Sequence, residues 1–450
     1  MRIHFIAIGG AVMHNLAIAL QKKGYDVTGS DDEIFEPSRT RLEQYGLMPE
    51  ERGWHPGKID RSIDTAILGM HARADNPELL RAQELGIKIT SFPEYLYNQT
   101  KEKKRIVIAG SHGKTTITAM IMHVLKYNGI KFDYMAGSAL KGFETMVGLS
   151  DDSEIAVFEG DEYLTSAIDP RPKFVHYKPD IAVLNGISWD HMNIYKTEEA
   201  YKDSFRALIS AINPSGLLLY FKDDPVVEAI VSEIRSDIQK IPYNVHGYFV
   251  NRLGVFGATH DRMVPLKFFG EHNMQNLSAA REACLRAGLT EDMFYEAIPS
   301  FEGAAGRLQV IRESGKNILF SDFAHAPSKV KATISAVAER YPDRKIVACL
   351  ELHTYSSLNI TFLNQYRDTM SKASSAFVYF NPHAVELKRL SPLSPEAVAN
   401  AFGGKVNVFT DASLLFSEIK RLKKDGTIYL LMSSGDFDGY DLKRLAGELV

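Results

Sequence analysis

Residues Gly110 to Thr116 read GSHGKTT, directly after the β-branched run RIVIA and directly before TTITAMIMHVLKYNG. The second stretch repeats its apolar residues at helical spacing and stops at a glycine. Two glycines in such a strand-to-helix turn point backbone N–H groups and the positive end of a helix at whatever fills the turn. Gly110, Ser111, His112, Gly113, Lys114, Thr115 and Thr116 therefore form a candidate phosphate cradle. Lys114 adds a point charge, and the Thr115 hydroxyl is a ligand for a magnesium ion carried on the phosphates. The longer phosphate-loop pattern wants glycine where Ile108 stands, so this is a shortened form. A plain β–turn–α connection with an exposed lysine is the competing reading, and GKTT immediately after a strand favours phosphate.

Other residues with usable chemistry follow at intervals. Glu159 ends the run IAVFEG, and Asp190 and His191 follow IAVLNG. His272, Asn273 and Asn276 stand in GEHNMQN, Arg307 in GRLQV after GAAG, and Asp322 and His325 in SDFAHAP. A carboxylate and a histidine at the carboxyl ends of strands beside a phosphate loop suit magnesium. Asn273 and Asn276 lie three apart on a predicted helix, so both amides can face one ligand. Taken singly, Glu159 is a solvated strand end, His191 a structural or surface histidine, the asparagines a cap and a surface residue, and Arg307, Asp322 and His325 surface ion-pair or turn residues. A second glycine turn, Gly9 and Gly10 in IAIGGAVMHNLA, has Asp31 about twenty residues later, as in a dinucleotide fingerprint. That fingerprint, G-x-G-x-x-G, fails at Val12 and Asn15.

The elements that must position these residues alternate between short β-rich runs and amphipathic stretches, which implies parallel sheets with right-handed crossovers. A chain of 450 residues exceeds one hydrophobic core and suggests roughly three domains of about 150 residues each. The expected divisions are 1–98, 104–303 and 306–450. The first carries strands IHFIAIG, YDVTGSD and TAILGM, and NQTKEKK (Asn98 to Lys104) reads as a linker. The second carries IAVFEG, FVHY, IAVLNG and GLLLYF; the third carries RLQVI, ILFSDF, KIVACLEL, AFVYF, VNVFT and TIYLLMSS. Apolar content of 45% and charged content of 24% are those of an ordinary globular protein. A formal charge of −4 gives no basic face for nucleic acid. No run approaches the ~20 apolar residues of a membrane span, and MRIHFIAIGG is too short an apolar start for a signal peptide. A cytoplasmic monomer or homodimer without membrane insertion is expected. Cys284 and Cys349 sit in apolar contexts and read as core thiols.

The form G-[ST]-x-G-K-T-T after a strand, with Glu159, the Asp190–His191 pair, GEHNMQN, GRLQV and SDFAHAP following in order, resembles the Mur ligase family. The resemblance implies an α/β chain of three-domain architecture: a Rossmann-like N-terminal domain, a central P-loop ATPase domain and a Rossmann-like C-terminal domain. It implies ATP and Mg2+ as cofactors. Thr115 and Glu159 would then bind the metal between the β- and γ-phosphates, and Glu159 and His191 a second one near the acceptor. Asn273 and Asn276 would read the adenine with His272 packed near it, and Arg307 would reach an ATP phosphate. Asp322 and His325 match the D-[FY]-A-H-x-P element that brings the third domain over the nucleotide, with closure about a hinge near 300–307. IGGxGM…GSD, the UDP-binding start of the ligases that use UDP-N-acetylmuramate, matches Gly9, Gly10 and Asp31. His71 and Asn76, in MHARADNPEL, are further candidates for that nucleotide.

Two branches of the family start from UDP-N-acetylmuramate. One adds L-alanine; the other attaches the small peptide L-alanyl-γ-D-glutamyl-meso-diaminopimelate. KFVHYKP (Lys173 to Pro179) and MSSGDFDG (Met432 to Gly439) resemble the peptide-adding branch. Where the alanine branch has H-R-Y-[ST]-R, this chain reads HTYSS, His353 to Ser357. A lone alanine needs its carboxylate held in a small pocket, a task for bidentate arginine, and Thr354 and Ser357 supply no guanidinium. Arg206 falls where several sister ligases place a lysine that becomes carbamylated, so an unmodified site is expected. Gly186, Ser188 and Ala326 depart from the family pattern. They support a second class, a catalytically decayed UDP-sugar-binding protein, while redox use of the first domain would need the missing glycines.

Overall fold

The computed structural model describes residues 1–189, 192, 194–233, 235–304 and 306–450. The chain packs into two compact units. One comprises Met1–Ile187, Lys202–Asn244 and Leu277–Ile298; the other comprises Ser188–Tyr201, Val245–Asn276 and Pro299–Val450.

The first unit contains two sheets. One is parallel, built from β1 (Arg2–Ile6), β2 (Asp26–Ser30), β3 (Thr65–Leu68) and β4 (Lys88–Ser91) in the order β2-β1-β3-β4. Four of the five residues of β1 are buried, the pattern of a parallel strand covered on both faces. The helices α1 (Ala11–Lys22), α2 (Ser38–Gln44), α3 (Pro77–Leu85) and α4 (Phe92–Thr100) alternate with these strands. Because β2 and β3 flank β1 on opposite sides, the turn after β1 opens at the point where strand order reverses, where ligands bind in such sheets. A capping box between Ser91 and Glu94 starts α4, and Thr100 Oγ1 bonds the Leu96 carbonyl at 2.8 Å. The helix thus takes in Asn98, Gln99 and Thr100, and the expected linker shrinks to the turn before the next strand.

The other sheet has the order β13-β12-β11-β5-β8-β6-β7. Its strands are β5 (Lys104–Ala109), β6 (Phe132–Met135), β7 (Val147–Gly148), β8 (Ile155–Glu159), β11 (Ile181–Leu184), β12 (Leu217–Phe221) and β13 (Gln239–Tyr243). All pairs are parallel except β6–β7. The helix α5 (Lys114–Tyr127) leads from β5 to β6 on the β8 side, while β11 lies on the other side, so GSHG occupies this sheet's own switch point. A hairpin of β9 (Leu164–Ser166) and β10 (Asp169–Pro172) precedes Lys173–Tyr177, which is a 3-10 turn and not the strand expected for FVHY. Its backbone is already committed: Lys173 N donates to the Tyr163 carbonyl (2.9 Å) and Phe174 N to that of Asp161 (3.2 Å). The helices α6 (Glu198–Ser210) and α7 (Pro225–Glu233) follow.

The second unit holds a three-stranded antiparallel sheet of β14 (Tyr248–Asn251), β15 (Gly254–Ala258) and β16 (Met263–Leu266) and, up to Asn276, the first turns of α8 (Glu271–Ala287), whose remainder belongs to the first unit. Its large sheet runs β17-β18-β22-β19-β20-β21, with β17 (Gln309–Glu313) antiparallel to β18 (Ile318–Asp322). β19 (Lys345–Leu352), β20 (Ser375–Phe380), β21 (Asn407–Phe409) and β22 (Thr427–Met432) continue it in parallel. Neighbouring residues serve opposite cores: Ile318, Phe320 and Leu430 lie in one, Leu319, Cys349 and Leu431 in the other. Alternation along a strand covered on both sides explains the unbroken apolar runs. Cys284 and Cys349 are free, buried thiols, and burial pushes both pKa values well up.

Candidate functional site

The cradle after β5 depends on two glycines. Gly110 has φ +125°, and a Cβ there would lie 3.0 Å from both the Asn185 nitrogen and the Gly186 oxygen. Gly113, at φ +75°, opens α5 and brings no side-chain cap, so the first amides of the helix face the turn. The carboxyl end of β11 fixes the loop from the side. Ser111 N donates to the Gly186 carbonyl (2.9 Å), and Asn185 Nδ2 donates to the His112 carbonyl (3.1 Å). Asn185 Oδ1 in turn accepts from the buried Tyr243 hydroxyl at 2.6 Å. Gly186, noted above as a departure, adopts φ +119°, a conformation that favours glycine, and the asparagine stands one residue earlier. Asp224 completes the support by accepting from Ile187 N and capping α7 through Val226 N and Val227 N.

Lys114 Nζ donates to the Gly110 carbonyl (2.6 Å) and to Glu162 Oε2 (2.9 Å). Burial opposes its charge, but the facing Glu162 carboxylate outweighs it, with Asp161 and Glu159 adding, and the ammonium pKa is raised. Thr115 Oγ1 donates to Glu159 Oε1 at 2.8 Å, and Glu159 Oε2 accepts from Gly137 N at 2.7 Å. A Cβ on Gly137 would sit 2.7 Å from that carboxylate, so the close approach requires glycine. Two hard oxygen donors at the start of a helix fit Mg2+. Asp190 and His191 lie outside the described residues. Among the described residues, no group of three or more His, Cys, Asp and Glu side chains is arranged to hold a metal. Sequence reasoning missed Glu162, whose signal was its place three residues after Glu159 in EGDEY.

At the switch point of the first sheet, Gly9 N donates to Asp31 Oδ2 at 2.7 Å. A Cβ on Gly9 would be 2.9 Å from that oxygen and 3.0 Å from Ile34 Cγ1, so the turn closes only on glycine. Burial pushes the Asp31 carboxyl up to about 6, against the Gly9 hydrogen bond and aided by Asp32. His71 is exposed. Asn76 is buried, and its Oδ1 caps α3 by accepting from Glu78 N (3.0 Å) and Leu79 N (3.1 Å).

In the second unit, Asn273 and Asn276 share a face of α8, with Asn276 Nδ2 3.4 Å from Asn273 Oδ1. Asn273 Nδ2 also bonds the Phe269 carbonyl at 2.8 Å. Burial holds the His272 imidazole down at about 4. The Arg307 guanidinium lies over the Phe323 ring at 4.8 Å. Asp322 ties this segment together, accepting from Leu308 N (2.5 Å), Ala324 N (2.7 Å) and Thr333 Oγ1 (3.3 Å). Burial raises the Asp322 pKa despite Arg307 and those amides. His325 Nδ1 bonds the Phe323 carbonyl at 2.8 Å, and the two rings meet edge-on. Ala326, which precedes the helix Pro327–Arg340, gives it no side-chain cap.

HTYSS and MSSGDFDG come together at the carboxyl ends of β19 and β22. Buried Glu351 accepts from Phe437 N (2.9 Å) and from the Ser433 hydroxyl, and its carboxylate lies 3.7 Å from His353 Nδ1. A Cβ on Gly435 would be 2.7 Å from His353 Nδ1. The Thr354 and Ser357 hydroxyls bond each other at 3.0 Å. In the first unit, Lys173 Nζ of KFVHYKP meets Asp161 (2.8 Å) over the rings of Phe92 and Tyr163. Arg206, on α6, pairs with Asp203 (2.8 Å) and Glu233 (3.4 Å). Among the described residues, no helix is long and apolar enough to cross a membrane.

Doubly wound sheets and a glycine cradle at the mouth of a helix define a phosphate-loop α/β protein. This chain belongs to the Mur ligase family: residues 2–104 match the family's catalytic domain, 108–284 its middle domain and 306–435 its glutamate ligase domain. It is accordingly an ATP-dependent ligase that forms a C–N bond. The UDP-N-acetylmuramate–L-alanyl-γ-D-glutamyl-meso-2,6-diaminoheptandioate ligase of Haemophilus influenzae is 30% identical over 361 residues, covering 78% of this chain and 79% of that one. The UDP-N-acetylmuramate–L-alanine ligase of Carboxydothermus hydrogenoformans is 28% identical over 469 residues, covering 98% and 96%. The solved murein peptide ligase of Psychrobacter arcticus shares the fold, with a TM-score of 0.66, 24% identity and coverage of 100% and 98%.

Two outcomes follow from this geometry. Removing Glu162 strands a mostly buried ammonium, so Glu162→Ala lowers stability to urea by about 3 kcal/mol, and Glu162→Gln by less. An unchanged midpoint in the alanine variant would show that the pair holds nothing. The native Asp31 carboxyl titrates near 6, against about 3.9 in an unfolded chain. The stability this contributes is present below pH ~4 and lost as pH rises through ~6. Relative to Asp31→Asn, the wild type therefore loses on the order of 2 kcal/mol between pH 4 and 7. A constant difference between the two proteins across that window would refute the assignment.

Proposed function

We propose that the chain joins UDP-N-acetylmuramate to L-alanyl-γ-D-glutamyl-meso-diaminopimelate, with ATP converted to ADP and phosphate. The observation that carries the choice of amine is the Thr354–Ser357 turn. Its two hydroxyls satisfy one another at 3.0 Å, where a clamp for the carboxylate of a single amino acid would present guanidinium groups. A longer peptide places its carboxylates elsewhere. The Haemophilus influenzae relative carries the peptide-ligase name, and the Carboxydothermus hydrogenoformans relative makes L-alanine the second reading.

In this reading, residues 1–98 hold the UDP-sugar, 104–303 the ATP, and 306–450 the incoming amine. The Gly9–Gly10 turn admits the diphosphate, with Asp31 toward the uridine and His71 beside it. The amides that follow Ser111 in the loop and the start of α5 take the ATP phosphates, and an arriving phosphate oxygen competes with Glu162 for Lys114. His272, Asn273 and Asn276 are assigned to the adenine, Arg307 to a phosphate, and Asp322 and His325 to holding the Arg307 segment. Thr115 and Glu159 would hold Mg2+, which supplies charge neutralisation on the phosphates when bound.

The γ-phosphoryl group passes to a lactyl carboxylate oxygen of the sugar, and its bond to the ADP oxygen breaks. The peptide's amine nitrogen attacks the acyl carbon and loses a proton, and phosphate leaves the tetrahedral adduct. Orientation and preset charge carry most of such a reaction.

With ATP, Mg2+ and UDP-N-acetylmuramate present, phosphate release is expected to run at least tenfold faster with the tripeptide than with L-alanine, a discrimination within reach of buried polar recognition. Turnover on alanine alone overturns the choice of amine. Lys114→Ala is expected to slow turnover about a hundredfold or more; full turnover in that variant removes the cradle from the mechanism.

A further inference from the structure

Asn15 stands where the dinucleotide fingerprint would place its last glycine, and it is buried. Its amide is fully engaged. Nδ2 donates to the Ala11 carbonyl (2.8 Å) and contacts His14 Nε2 (2.8 Å), while Oδ1 accepts from Met146 N at 3.0 Å. His14, buried beside it, has Nδ1 2.9 Å from the Gly10 carbonyl and 2.9 Å from Ser38 Oγ. The network therefore assigns the proton to Nδ1 and leaves Nε2 as acceptor. A glycine at position 15 would only let helix and strand approach; the asparagine instead reaches out of the first sheet's layer to the backbone beside β7.

That backbone leads to the cradle. Ala136 N donates to the Met146 carbonyl (2.9 Å), the next amide, Gly137 N, donates to Glu159 Oε2 (2.7 Å), and Thr115 Oγ1 donates to Glu159 Oε1 (2.8 Å). A short path of hydrogen bonds and peptide units thus connects Gly10, in the turn after β1, with Thr115 at the start of α5. Three polar contacts near Asn15 on the same seam are exposed: Lys22 with Glu144 (2.6 Å), Arg41 with the Glu144 carbonyl (2.9 Å) and Lys23 with Asp151 (2.5 Å). Exposed ion pairs hold little, whereas a buried amide left without its acceptor is costly.

We propose that Asn15 is a positioning residue for the ligation, fixing the glycine turn of the first sheet relative to Glu159 and the phosphate cradle. This rests on the function proposed above, in which the first turn carries the acceptor and the second the phosphoryl donor. Two reactants held by separate sheets meet at attack distance only if the seam is fixed, and a small misplacement lowers kcat while leaving binding intact.

The test compares Asn15→Leu with Asn15→Asp. Leucine matches the volume but gives Met146 N no acceptor. Aspartate keeps an acceptor and finds His14 beside it, at the expense of a buried carboxyl group. Asn15→Leu is expected to lower kcat about tenfold or more, with the KM values for ATP and UDP-N-acetylmuramate within about threefold of wild type. Asn15→Asp is expected to keep several-fold more kcat than Asn15→Leu while melting at a lower temperature, an order that a purely structural role would reverse. Wild-type kcat in Asn15→Leu, or rates that follow Tm across the two variants, overturns the proposal. Calorimetry on the wild-type protein separates the two levels. Absence of heat from UDP-N-acetylmuramate removes the substrate reading and this inference with it, whereas binding and turnover in the wild type with an unaffected Asn15→Leu removes only the inference.

Discussion

The phosphate cradle depends on one close approach, that of the Gly110 backbone to the Asn185–Gly186 backbone. With 3.0 Å available to a Cβ, no side chain fits, and the turn is pressed against the end of β11. Ser111 N is already spent on the Gly186 carbonyl, so the later amides and the uncapped start of α5 are what remain for an anion. A loop made this way is rigid before any ligand arrives, which is the condition under which aligned N–H groups stabilise charge without reorganising. The same rigidity explains how a lysine can be held beside the loop. Lys114 keeps its charge in a poorly solvated place because Glu162 is there, and a mostly buried pair of this kind adds less to stability than to geometry.

A second device recurs in both units. Asp31, Glu159 and Asp322 each stand at or just beyond the carboxyl end of a strand, and each spends carboxylate oxygens on backbone N–H groups of a nearby turn: Gly9, Gly137, and Leu308 with Ala324. A turn at that end of a parallel sheet has amides that no ladder satisfies, and a short acidic side chain arriving from the strand satisfies them at little entropic expense. Burial raises the pKa of Asp31 and Asp322 all the same, so these carboxyls trade ease of ionisation for fixed turns. Asp322 shows the consequence most fully. It fastens Leu308, next to Arg307, to Ala324, next to His325, so two residues eighteen positions apart in sequence are set by one carboxylate.

How much of this was legible in the sequence follows from what each feature depends on. The strands of the large second-unit sheet could be read because both faces are covered and their apolar runs are unbroken. The sheet β14–β16 escaped because its burial alternates or thins, as in YFVN, and no run stands out. FVHY has strand composition, but the carbonyls of Tyr163 and Asp161 had already claimed its first amides. The phosphate cradle could be read because glycine, lysine and threonine have few other reasons to stand together between a strand and a helix. Glu162 and Asn185 were harder to read, since what gives them their roles is a partner distant in sequence: Lys114 at the start of α5 for one, the His112 carbonyl and the Tyr243 hydroxyl for the other. Asn76 was singled out as a nucleotide contact, and the structure shows its oxygen capping α3; asparagine before proline at a helix start is itself a capping signal.

The end of β19 shows why specificity is harder to read than chemistry. His353 and Glu351 sit against the Ser433–Phe437 loop so closely that Gly435 admits no side chain, and Thr354 and Ser357 close on each other. Glu351, Ser433, Thr354 and Ser357 each have a hydrogen-bond partner within the protein. A site that is complete on its own discriminates by shape and by what it refuses to pair, because a charged group brought against satisfied hydroxyls must give up water for nothing. A pocket with a free guanidinium pair works the other way, rejecting anything that leaves the arginines unmatched. Two mutually bonded hydroxyls, standing where the alanine-adding branch carries two arginines, therefore make no demand for a carboxylate at that point.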